Sequence, residues 1–413
     1  MANGRFDSWR GIWGGKTMKR ASITALLFCA LMARAQAADF TPTPLEAPPA
    51  GETEQIGQIV DLTVQLLQYR YGDSLARRGV HAKDHGCVKG TLAVDADIPE
   101  ALRAGVFAAP GKSYDAWVRF SNATGVVTAD YDTAHDTNTG ATTHTATSRG
   151  MAIKLMGVEG ATLFDEPRAK TQDFLLINQP MFGFGDVATY LKVTQLQLQF
   201  KDNNAAIFGV LFGKIPHPTI APMSPPDIAK TAAILARIGG DKMSNPLDGP
   251  YFSASPFLYG RGHAAKFSVT RRDPENRPID EFPSDNALRQ AMKHSLSITD
   301  GKPVVYDFSV QLRPDGLSPG DAAFPIEDAA FEWKETAAAS YRKVATLTIS
   351  PQDFDNPLRI TECEHLVFTP WHGLTEHQPL GGINRLRRAV YIASSQYRAQ
   401  PREPSKFPVD YPK

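Results

Sequence analysis

Net charge is the first thing this chain does not have: 44 Lys and Arg balance 44 Asp and Glu over 413 residues. That balance removes the electrostatic footprint of a protein that holds nucleic acid or another polyanion by bulk attraction. With 21% charged and 42% hydrophobic residues, the chain also lacks the composition of a disordered one. Gly 32 and Pro 31 are ordinary counts for this length, which excludes collagen-like and low-complexity architectures. Cysteine is scarce, with 3 in all. A disulfide-stapled miniature fold is therefore excluded, and a chain this long can bury a core without staples. There is no glycine-rich phosphate loop, no Cys-x-x-Cys, no Gly-x-Ser-x-Gly and no His-Glu-x-x-His. No strict β-α-β alternation and no internal repeat is visible, which argues against a doubly wound parallel sheet or a solenoid.

What is present begins near the N-terminus. Met18-Lys19-Arg20 is basic, Ile23 to Ala33 is apolar, and Ala35-Gln36-Ala37 is a small-x-small cleavage pattern. This is the tripartite layout of a secretory signal peptide. Its apolar run is about half the roughly 20 residues that a spanning helix needs. Residues 1–37 are therefore expected to be a leader with an over-long start, the true start being Met18. The mature protein is expected to be exported, to the periplasm in a bacterium, with no membrane span. Cys29 leaves with the leader. Cys87 and Cys363 remain as an even pair in an oxidising compartment, where a disulfide and two buried thiols both stay open.

Residues 38–52, rich in Pro and small side chains, read as a mobile arm. Ile56, Ile59, Val60, Val64 and Leu67 recur at helical spacing and predict an amphipathic helix over 53–71. Strands are predicted at Gly90–Val94, Ala116–Ser121, Met151–Met156, Phe174–Ile177, Ala264–Val269, Val304–Leu312, Val344–Ile349 and Leu366–Thr369. Helices are predicted near 186–200, 226–238 and 286–295. The stretch 125–148, full of Thr, Ala, Asp and His, reads as a long exposed loop. Residues 53–405 are expected to form one α+β domain, with 406–413 as a tail. His365, His372 and His377 cluster in sequence beside Cys363, but their spacing matches no common zinc pattern, so exposed or backbone-bonded histidines are expected there.

Five segments carry more information together than singly: Arg78-Gly79-Val80-His81-Ala82-Lys83, Val118-Arg119-Phe120-Ser121, Ser148-Arg149-Gly150-Met151-Ala152-Ile153-Lys154, Leu176 to Phe182 with Asn178 and Pro180, and Asn384 to Tyr391 followed by Arg398. Taken alone, each is weak. In this order they resemble the haem-dependent catalase superfamily over residues 55–400, and are closest to its shorter catalase-like, catalase-related peroxidase members. The resemblance implies an antiparallel β-barrel core with helical insertions around a buried haem b.

What the resemblance implies can be carried over residue by residue. His81 falls on the distal histidine, which moves a proton between the oxygens of a bound peroxide. Ser121 falls on the hydroxyl that bonds this imidazole and fixes its tautomer. Asn178 falls on the distal asparagine. Tyr391 falls on the axial tyrosine, the iron ligand, a ligation known for catalase. Arg387 lies one helical turn before it and favours the phenolate. Arg78, Arg119 and Arg398 fall on the positions that bind the haem propionates, which suits planar guanidinium. Phe182 lines the distal pocket and Val80 narrows the channel above the haem.

The implied activity is decomposition of hydrogen peroxide or organic hydroperoxides, with a second peroxide or an external electron donor as reductant, in oxidative-stress defence. A lipid-hydroperoxide isomerase or dehydratase and a non-catalytic haem-binding protein are the alternatives. An oligomer is compatible with this reading. The sequence departs from full catalases at Asp84-His85-Gly86-Cys87, across 125–148, and through 200–260. With little chain after Arg398 and 200–260 divergent, the resemblance does not extend to the parts that give the full enzymes high-rate hydrogen peroxide dismutation, a nicotinamide site and an interlocked tetramer.

Overall fold

The computed structural model describes residues 41–72, 76–135, 142–164, 170–282 and 284–398. The leader and the C-terminal tail expected from sequence lie outside the described residues. The strands are β1 (Asp84–Val94), β2 (Ser113–Asn122), β3 (Tyr131–His135), β4 (Thr142–Ala146), β5 (Arg149–Met156), β6 (Thr171–Ile177), β7 (Tyr251–Phe252), β8 (Phe257–Leu258), β9 (Ala264–Arg271), β10 (Val304–Leu312) and β11 (Tyr341–Ile349). The α-helices are α1 (Glu52–Tyr71), α2 (Val187–Gln199), α3 (Asn204–Leu211), α4 (Pro225–Gly239), α5 (Ala287–Ser295), α6 (Pro357–His365) and α7 (Gly382–Tyr397).

Eight antiparallel strands close into a barrel in the order β10-β11-β1-β2-β5-β6-β7-β9, with β9 pairing back onto β10 and β8 appended to β9. Closure removes the exposed edges that an open sheet of this size would present. Strand alternation supplies the core: Val304, Tyr306, Phe308 and Val310 of β10 are buried at every second position. Phe107, Phe174, Phe267 and Phe308 fill the barrel interior, with rings 4.9–6.0 Å apart in the contacting pairs. The α+β class and the antiparallel barrel expected from sequence are those observed.

Outside the barrel, α1 buries Ile56, Ile59, Val60 and Val64 against Leu386, Ala389 and Ala393 of α7 and Val187 of α2. A sheet closed upon itself leaves its outer face free to carry these helices, and the site forms between them and the barrel wall.

Three sequence expectations are corrected. The 125–148 loop contains the β3–β4 hairpin, registered from Tyr131↔Ala146 to His135↔Thr142. Leu366–Thr369 is not a strand, because side chains take up its backbone instead of a neighbouring strand: the Leu366 carbonyl accepts from Arg78 and Arg398, and the Thr369 N–H donates to Asp173. Residues 41–51 are anchored, since Glu46 is buried with its carboxylate 2.5 Å from Arg385.

Candidate active site

A cavity of about 400 Å³ lies between the barrel wall, α1, α2 and α7. Small-molecule sites fall in this size range. Arg78, Val80, His81, Arg119, Ser121, Phe182, Arg387, Tyr391 and Arg398 all line it. Most of the remaining wall is apolar, with Leu67, Leu175, Met181, Phe368 and Leu386 among its residues. Residues more than 300 positions apart in sequence therefore share one pocket.

His81 sits in the segment that leads into β1, at φ 57°, a left-handed conformation costing about 1–3 kcal/mol for a side chain of this kind. The surroundings enforce it. The Arg119 Nη2 donates to the His81 carbonyl at 2.8 Å, the Ala82 N–H donates to the Thr124 carbonyl at 3.1 Å, and the Gly79 N–H donates to Ser394 Oγ of α7 at 3.0 Å. His81 Nδ1 is 3.0 Å from Ser121 Oγ. In the tautomer that donates Nδ1–H to this hydroxyl, Nε2 carries the lone pair. Burial, with Arg119, Arg387 and Arg78 adding to it, pushes the imidazole down to about 3. The ring is neutral at physiological pH, the state a proton acceptor needs.

Gly150 on β5 leaves room for that ring. A Cβ at Gly150 would stand 2.5 Å from His81 Cε1 and 3.0 Å from Ser121 Oγ. Gly150 stands within the Ser148–Lys154 motif, and nothing in that motif alone marks it as the residue that makes room for the ring. Ser394 was also missed, although its position three residues after Tyr391 placed it on the same helix face.

Tyr391 is carried by α7, one turn beyond Arg387. The Arg387 guanidinium lies 5.5 Å from the Tyr391 ring centre and 5.6 Å from that of Phe182. Its Nη1 donates to Asn384 Oδ1 at 3.0 Å, and Asn384 is fixed in turn by Ser255, Pro256 and Leu380. Asn384 therefore holds Arg387 over the phenol.

Arg78, Arg119 and Arg398 crowd one side of the cavity. Burial pushes Arg78 down to about 10, with Arg398 the next cause, and Arg119 down to about 10, with Arg78 the next. Arg119 is 3% exposed and its Nε has no partner. Buried cations that repel one another, with a donor left over, are the surroundings in which carboxylates bind well.

Asn178 does not line the cavity. Its Oδ1 accepts from the Arg149 N–H at 2.7 Å and from Ser148 Oγ at 3.0 Å, and its Nδ2 donates to Asp241 at 2.8 Å. Nothing in the sequence pointed to Asp241. A separate buried polar group joins Lys83, His85, Asn122, Asp130 and Arg149, in which Lys83 Nζ is 2.7 Å from Asp130 and His85 Nε2 is 3.0 Å from Asn122.

Cys87 and Cys363 form a disulfide. His372 Nδ1 is 3.3 Å from Asp173, whereas His377 Nε2 accepts from the Val106 N–H in the barrel core. Among the described residues no group of three or more His, Cys, Asp or Glu is arranged to hold a metal ion, and no helix is long and apolar enough to cross a membrane.

Three solved structures that share this architecture are catalases. A fungal catalase superposes with a TM-score of 0.58 at 16% identity, covering 83% of this chain and 63% of its own. A bacterial catalase does so with 0.52 at 17%, covering 83% and 61%. Catalase A from Saccharomyces cerevisiae gives 0.57 at 16%, covering 88% and 68%. The chain thus has a catalase-type fold and spans less than two thirds of the length of the fungal and bacterial proteins. No family profile and no curated protein matches it in sequence.

Proposed function

We propose that this chain is an exported haem b protein that decomposes hydrogen peroxide or organic hydroperoxides in oxidative-stress defence. The observation that carries the reading is one apolar cavity holding a neutral imidazole fixed by a hydroxyl, a phenol beneath a guanidinium, and three further guanidiniums. The residues fit the cofactor: the Tyr391 oxygen would ligate the iron, and Arg78, Arg119 and Arg398 would hold the propionates. When bound, haem supplies the redox chemistry, and the protein supplies binding, orientation and electrostatics.

His81 takes the proton from the attacking peroxide oxygen and returns it to the departing one, so that water or an alcohol leaves instead of its anion. Ser121 keeps the imidazole in the tautomer that permits this transfer, and Gly150 keeps it in place. Arg387 holds its guanidinium 5.5 Å from the Tyr391 ring centre, beside the oxygen that would ligate the iron. The leader-like N-terminal segment and the disulfide support an oxidising compartment.

The test is the purified, haem-loaded protein given hydrogen peroxide, and separately an organic hydroperoxide with a chromogenic donor. Turnover of either supports the reading. Rearranged products without donor would identify a hydroperoxide isomerase, and no turnover of any kind would leave a haem-binding protein.

A further inference from the structure

The Cys87–Cys363 disulfide and the guanidinium cluster meet at one place. The bridge joins β1 to the last turn of α6 across 276 residues, with Cα atoms 5.8 Å apart. On the barrel side, Cys87 stands opposite Arg119 in the β1–β2 register. On the helix side, the Cys363 carbonyl accepts from Arg78 Nη2 at 2.8 Å, and the same nitrogen donates to the Leu366 carbonyl at 2.8 Å. Glu364 Oε2 accepts from Arg78 Nη1 at 3.1 Å. Arg398 donates to the Glu364 carbonyl at 3.0 Å and to the Leu366 carbonyl at 3.3 Å. Carbonyls at and just beyond the C-terminus of α6 are thus the hydrogen-bond acceptors that aim Arg78 and Arg398, and the partner strand of Cys87 carries Arg119.

α6 has 9 residues, too few to be stable alone. Its first turn is held where Arg359 stacks over Trp117 at 5.2 Å. Leu358 and Ile360 are exposed, and the last turn buries only Cys363 before Leu366. The covalent bond to β1 therefore fixes the register of that last turn on the barrel.

We propose that the Cys87–Cys363 disulfide is a positioning element for the cofactor's carboxylates, so that only the oxidised chain presents Arg78, Arg119 and Arg398 as one binding face. This rests on the haem reading above. It orders maturation: the bridge closes in an oxidising compartment first, and the cofactor is captured afterwards.

The experiment compares the oxidised wild-type apoprotein with Cys87→Ser/Cys363→Ser. Each is titrated with haemin and with haemin dimethyl ester, whose carboxylates are masked, while thermal melting reports folding. Loss of well-placed charged hydrogen bonds predicts haemin binding weaker by about tenfold or more in the variant, with the ester held equally by both proteins to within about twofold. Equal haemin affinity in the two proteins overturns the proposal, and so does an equal fractional loss for both porphyrins, which is general loosening. If the oxidised wild type binds no haemin, the haem reading itself fails and takes this inference with it. Should the variant not fold, phosphine-reduced wild type titrated with gallium protoporphyrin, which the reductant leaves unchanged, is compared with the oxidised protein on the same criteria.

Discussion

Gly150 passes so close to His81 that a Cβ there would stand 2.5 Å from Cε1 and closer still to Nδ1. The clash falls on two ring atoms, one of them the Nδ1 bonded to Ser121, whose Oγ is itself only 3.0 Å from the same point. Gly150→Ala must therefore turn the imidazole off its hydroxyl. Peroxide turnover should fall by about 10²- to 10⁴-fold, the usual worth of a positioned proton-transfer group. Haemin affinity should change little, because the guanidiniums and Tyr391 are untouched. Steady-state kinetics beside a haemin titration checks this; unaltered turnover would remove His81 from the reaction.

Acid should act on this protein through His81 in a defined direction. The folded imidazole is held at about 3 against about 6.5 for a free one. The unfolded chain then binds the proton first, so stability is lost as pH falls from about 6.5 towards about 3. His85 and His377, both buried and pushed down to about 4, act with the same sign. The apoprotein melting temperature should drop steeply across that window. His81→Gln should lessen the drop at pH 4.5 and leave the value at pH 8 almost unchanged. An equal offset at both pH values would show that the imidazole is not held neutral.

Tyr391→Phe isolates the phenol oxygen. The ring that the Arg387 guanidinium covers at 5.5 Å remains, so the packing of α7 should be preserved. Haem should still enter, with its Soret position and charge-transfer bands shifted by the lost ligand. An unchanged absorption spectrum would place the axial ligand elsewhere.

Asn178 now bears on folding more than on chemistry. Its amide satisfies the Arg149 N–H and donates to Asp241. Asn178→Ala leaves the buried Arg149 N–H unpaired at about 1–3 kcal/mol, and should lower the denaturant midpoint while reducing turnover far less than His81→Ala. A loss of turnover matching that of His81→Ala would put the amide on the substrate instead.

These contrasts follow what a linear pattern can and cannot carry. Val304–Leu312 was legible because one face of β10 meets the barrel core and alternates accordingly. The β3–β4 hairpin was not, since Thr, Asp and His on both faces leave no alternation to read. α7 breaks hydrophobic periodicity with buried Asn384, Arg385 and Arg387, whose partners come from distant segments. Arg78, His81, Arg119 and Tyr391 were named through a family resemblance and share one cavity, whereas Asn178, named with them, turns to Arg149 and Asp241 instead; Asp241 and Gly150 act through proximity that only folding creates.

Arg385 gives the largest expected effect on stability. Its three nitrogens meet Glu46 at 2.5 Å, Glu52 at 2.6 Å and Glu327 at 2.6 Å, so one guanidinium ties the N-terminal segment, α1 and the 327 loop to the helix bearing Tyr391. Two of the carboxylates also accept from the Gly381 and Gly382 N–H groups at the start of α7, at 2.9 Å each. That helix terminus favours negative charge, yet it offsets only part of three carboxylates. Arg385→Met keeps the volume and removes the cation, which should destabilise the apoprotein by about 3–5 kcal/mol. Urea unfolding at pH 7.5 measures it. Adding Glu46→Gln to Arg385→Met should recover part of the loss at pH 7.5. A deficit that ignores this second substitution would assign the destabilisation to packing and not to charge.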